Sequence, residues 1–90
     1  MIWDPRLNPV ISTLAAHVRR SEVIDTVGTE AGLAMQYINF TGNAPADWHR
    51  LFERALDQEA VDSLLDEALK WTAHKEVHAT IAEYRRGRDS

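Results

Sequence analysis

The side chains best suited to chemistry in this sequence are four histidines and a run of carboxylates. His74 and His78 stand four apart, so they share a face of any helix that holds both. That spacing can bind zinc. The protease motif, however, puts a glutamate directly after the first histidine, and its inverse puts one directly before the second. Here Glu76 lies midway, on another side of the helix. His17 and His49 are the remaining histidines, and nothing in the sequence brings either one near. Zinc needs three or four ligands, so the pair reads as solvent-exposed, and neither a metal nor a cofactor is expected.

His49 follows Trp48 and is a conceivable general base, but no serine or cysteine stands at a telling spacing to act as its nucleophile. Adjacent helical residues point about 100° apart, so an inward Trp48 leaves His49 at the boundary of the core. Asp62 and Asp66 form a like-charged i, i+4 pair, with Glu67 and Lys70 on the same side. A solvated face is the default reading, and a partner-facing acidic patch is the alternative, because fields of one sign steer association. Arg85, Arg86 and Arg88 are read the same way, as a helix end that suits the dipole or as the complementary basic patch. Lying apart, two such patches would allow head-to-tail pairing.

The elements that must position these groups are helical nearly throughout. Asn8 is expected to cap a first helix with Pro9 inside it. Val10, Ile11, Leu14, Ala15 and Val18 mark its buried face. Ser21 is expected to cap a second helix, which Gly32 ends, and Leu33 is placed to fold back onto it. Residues 33–42 read as an ordered connection, with one helical turn at 34–37 and with Ile38 and Phe40 plugged into the core. "INF" has no second strand to pair with, and a lone strand is not stable. Asn43 caps a third helix with the stripe Trp48, Leu51, Phe52 and Ala55. A fourth, from about Glu59 to Ala73, carries Val61, Leu64, Leu65, Ala68, Leu69 and Trp71 on a wide apolar face and is expected to be central. The last runs from about Lys75 to Arg86 and stops at Gly87.

Ninety residues, 44% of them hydrophobic and 27% charged, make one small domain spanning residues 1–90. The absence of cysteine excludes disulfides and thiolate metal sites. No apolar run approaches the ~20 residues that span a bilayer, and the N-terminus lacks the pattern of a secretory signal. These features agree with a cytoplasmic protein away from membranes. A formal net charge of −4 opposes generic nucleic-acid binding. The expected fold class is all-α, a compact antiparallel bundle of five to six helices.

The run "INFTGNAPADWHRLFERALDQEAVDSLLDEALK" resembles the effector-associated domain of type one, a small helical domain of bacterial conflict and immunity systems. The family shows an aromatic, a Ser/Thr-Gly turn and a small capping residue, then Trp-His a few residues into a helix. Phe40, Thr41-Gly42, Asn43 and Trp48-His49 match that pattern. The family's later "LL..AL" helix matches Leu64, Leu65, Ala68 and Leu69, and its upstream "AREAGL" resembles residues 29–33. The likeness covers about two-thirds of the chain. The Asp-Pro often found after the equivalent of Leu33 is missing here.

The resemblance implies a death-domain-like fold and a domain without catalytic activity. Such a domain pairs with related helical domains on effector or sensor proteins and associates weakly, if at all, with itself. Phe40, Gly42, Asn43, Trp48, Leu64 and Leu65 are then structural anchors. Asp62, Asp66, Glu67, Arg85, Arg86 and Arg88 are the candidate docking residues. Such domains seldom work alone, so the natural chain is expected to extend past Ser90, and an initiator Met1 would make this the N-terminal module. A stand-alone acidic regulator that masks a basic effector is the alternative.

Overall fold

The structure, a computed structural model, describes residues 3–89, with the side chain of Asp89 left out. Met1, on which the expectation of an N-terminal module rests, lies outside the described residues. Five α-helices account for most of the chain: α1 (Asn8–His17), α2 (Ser21–Glu30), α3 (Ala44–Gln58), α4 (Val61–Trp71) and α5 (Lys75–Asp89). Two 3-10 turns, Pro5–Leu7 and Met35–Tyr37, complete the order, and there is no strand among the described residues. The Cα radius of gyration is 11.8 Å, about that of a compact domain of this length.

α1 and α3 sit at the centre. α1 packs on both α3 and α5, while α2 leans on α4 and α3. Leu7, Leu14, Ile24, Trp48, Leu51, Phe52, Leu64 and Leu65 are fully buried at the junction. α4 is therefore not the central helix that its apolar pattern predicts. Its Trp71 leaves the core and is 47% exposed, because the helix ends at that residue and the chain turns away through 72–74.

Helix ends differ from expectation in three places. Asn8 does not cap α1: its side chain accepts from Trp3 Nε1 at 3.0 Å, and the helix grows directly out of a 3-10 turn that Asp4 caps. Ser21 lies inside the first turn of α2, whose N-cap Arg20 offers no side-chain bond. Gly87 does not stop α5, which runs on to Asp89. Gly32 does behave as a terminator, with φ +84°. Leu33 N–H donates to Gly28 O and Gly32 N–H to Thr29 O, the paired bonds of a Schellman motif. α3 closes in a related way through Glu59 at φ 56°, a left-handed conformation unusual outside glycine.

Gly28 is needed for another reason. A Cβ there would sit 2.7 Å from Met35 Sδ and 2.8 Å from Leu51 Cδ2. Its absence lets α2 approach α3 with Met35 between them. The N-terminal segment is tied to α5: the Tyr84 hydroxyl donates to Asp4 Oδ2 at 3.3 Å, and Arg6 Nη1 donates to Gly87 O at 3.3 Å. The hydrogen bond from Arg6 holds the Asp4 carboxyl below its usual range, while burial pushes the Tyr84 hydroxyl up.

Candidate functional site

The Thr-Gly-Asn turn before α3 is built around a residue that sequence patterning passes over. Asp47 is completely buried, and Oδ1 accepts from Thr41 N at 2.8 Å and from Thr41 Oγ1 at 3.2 Å, while Oδ2 accepts from Gly42 N at 3.2 Å. Gly42 takes φ +85°, and Asn43 caps the helix by accepting from Ala46 N. At the other end of α3, Gln58 accepts from Ala34 N at 2.7 Å and donates to Gly32 O at 3.2 Å. One helix thus clamps both ends of the connection 33–42, and Ile38 and Phe40 pack half-buried against the core.

Trp48 points straight inward and is fully buried. Its Nε1 donates to Val18 O at 3.0 Å, which satisfies a carbonyl at the C-terminal end of α1. Emptying such an aromatic site typically costs about 3–5 kcal/mol. His49 does not reach the turn. Its Nδ1 lies 2.9 Å from Glu53 Oε1, and its ring stacks on Trp3 at 4.2 Å. Both contacts fix a half-exposed imidazole on the surface of α3. Among the described residues no serine is bonded to it, and the chain has no cysteine.

The charged patches of α4 and α5 are not separate. Arg85 Nη2 is 2.8 Å from Asp66 Oδ1, Arg85 Nε is 3.4 Å from Asp62 Oδ1, and Arg88 Nη2 is 3.0 Å from the same Asp62 oxygen. Lys70 pairs with Glu67 at 2.9 Å, and Arg86 lies 4.0 Å from Glu83 on the exposed side of α5. The start of α4 and the end of α5 lie side by side, so acids and bases meet within one molecule. The premise of two opposed patches for head-to-tail pairing is thereby removed.

Two other groupings take their place. Trp71 lines a groove of about 350 Å³ with His17, Val18, Arg19, Arg20 and Val23. Arg19 and Arg20 have no carboxylate within ion-pair distance among the described residues. The second grouping is histidine-based. His78 Nε2 turns to Thr72 O at 2.9 Å, so it does not converge with His74. Instead His17, from the end of α1, stacks on His74 with ring centroids 3.6 Å apart, and its Nε2 is 3.4 Å from Glu76 Oε2. Sequence spacing joins His74 to His78; packing of α1 on α5 joins it to His17. Compared with known proteins, the chain matches no family model, no curated protein and no solved structure.

Proposed function

We propose that this chain is a non-enzymatic adaptor domain that pairs with related helical domains to recruit effectors in bacterial conflict and immunity signalling. The resemblance to the effector-associated domain of type one supports this reading, and with it a death-domain-like arrangement of the helices. The observation that carries it furthest is Trp71, a large aromatic 47% exposed beside Arg19 and Arg20, which have no carboxylate partner among the described residues. Tryptophan and arginine are the residue types that most often dominate the energetics of protein interfaces. The partner face is accordingly acidic with an apolar centre. Asp62, Asp66, Arg85 and Arg88 already engage one another, so they contribute less to docking than Trp71 does. The same pairing weighs against Asp62 and Asp66 serving an acidic regulator, whose carboxylates would have to be available to a basic effector.

The isolated domain is monomeric or weakly self-associating when dilute, since rim charges supply only about 0–1 kcal/mol per pair. The test is titration calorimetry against a related helical domain, at two salt concentrations, with circular dichroism as the control for folding. Trp71→Ala and the double variant Arg19→Glu with Arg20→Glu each leave the helical signal intact and weaken pairing by about tenfold or more. Added salt weakens the wild-type interaction by screening. Folded variants that pair like wild type would remove this surface from consideration.

A further inference from the structure

His17 is the last residue of α1, and His74 immediately precedes α5, whose second residue is Glu76. These three come together although 59 positions separate His17 from Glu76. One ligand atom from each lies within 4.8 Å of the others, and all three residues are exposed to solvent. We propose that His17, His74 and Glu76 form a binding site for a divalent first-row transition metal, with zinc as the ion that fits the donor set best.

The chemistry of the donors selects the ion. Two imidazoles and a carboxylate suit zinc and its neighbours; magnesium and calcium demand oxygen ligands, and copper(I) prefers sulfur. The spacing agrees. Two ligands at zinc bond lengths of ~2.0–2.2 Å, set at a tetrahedral angle, stand about 3.3–3.6 Å apart. His17 Nε2 and Glu76 Oε2 are 3.4 Å apart, long for a hydrogen bond and in range for a shared ion. The two rings are tilted by 24° in a stack, so convergence on one ion requires an imidazole to turn about its Cβ–Cγ bond. His74 Nδ1 accepts from Glu76 N at 3.3 Å, a weak contact that ligation through that nitrogen replaces.

The Glu76 carboxylate offsets part of the ion's charge, and the partial negative charge at the C-terminal end of α1 counters the partial positive charge at the N-terminus of α5. Three protein ligands leave a fourth position for water. The ion would clip the end of α1 to the start of α5, and a link closing so long a stretch of chain stabilises the folded state. This site does not depend on the adaptor reading.

The experiment uses untagged protein stripped with a chelator and titrated with zinc chloride by calorimetry. Nitrogen-15 correlation spectra of the histidine rings are recorded in parallel. The expected result is one zinc per chain, a melting temperature that rises with zinc concentration, and shifted ring nitrogens for His17 and His74 but not for His78. His17→Gln and Glu76→Gln each weaken binding by about tenfold or more, at least the effect of disturbing a metal ligand's supporting partners. His78→Gln binds like wild type. Absence of saturable binding at millimolar zinc, unmoved His17 and His74 nitrogens in the wild-type protein, or undiminished affinity in folded His17→Gln would overturn the assignment.

Discussion

At the scale of single residues, Asp47 illustrates why a polar side chain belongs in this core. A buried carboxylate is costly unless its oxygens are satisfied, and here they accept from two backbone amides and a hydroxyl of the same turn. The turn needs those acceptors as much as Asp47 needs the donors, because residues 41 and 42 precede the helix and have no ladder partner. Asp47→Ala is expected to destabilise the domain by about 2–3 kcal/mol, the range for losing hydrogen bonds to a charged group and leaving amides unpaired. Asp47→Asn, which keeps an acceptor oxygen, falls between the two. Urea titration of both variants checks the order, and an alanine variant as stable as wild type would show that water replaces the carboxylate.

At the scale of helices, two glycines in helical conformation have opposite roles. Alanine is about 1 kcal/mol better than glycine in a helix interior. At Gly87 an added methyl meets nothing within 4 Å, so Gly87→Ala is expected to stabilise the domain by ~0.5–1 kcal/mol. At Gly28 the methyl meets Met35 and the fully buried Leu51, and overpacking typically costs about 1–3 kcal/mol. Gly28→Ala is therefore expected to lower stability by ~1 kcal/mol net, despite the better propensity. Thermal melts of the pair test this, and like signs would refute the close-approach account. The same contrast marks what the sequence discloses. The helices are legible because Val10, Leu14, Leu51 and Ala55 repeat at the helical period, and because Asn43 and Pro45 announce a start. The roles of Gly87 and Trp71 are not, since whether a helix continues past a glycine, or leaves the core at its last residue, is decided by what packs beside it. For the candidate sites, the exposed His74 and the acidic run are visible as residue types, but their partners His17, Arg85 and Arg88 come from other helices, which local spacing does not encode.

At the scale of the whole molecule, the charges at the start of α4 and the end of α5 act as a seam within the fold. Asp62 lies in the first turn of α4 and the arginines in the last turns of α5, so each group suits its own helix dipole as well as its cross-helix partner. Replacing Asp62 and Asp66 by lysine reverses all of these terms at once. It sets two cations against Arg85 and Arg88 and puts positive charge at the N-terminus of α4. Exposed pairs contribute about 0.2–1 kcal/mol each, so the double variant is expected to lose ~1–2 kcal/mol of stability while remaining folded. High salt should narrow the difference from wild type, because the two substituted positions are largely exposed and screening acts on repulsion and attraction alike. Chemical denaturation with urea, which leaves ionic strength unchanged, measures the gap at low and high salt. A double variant as stable as wild type at low salt would mean that the seam is incidental and that these carboxylates are free to serve an outside partner.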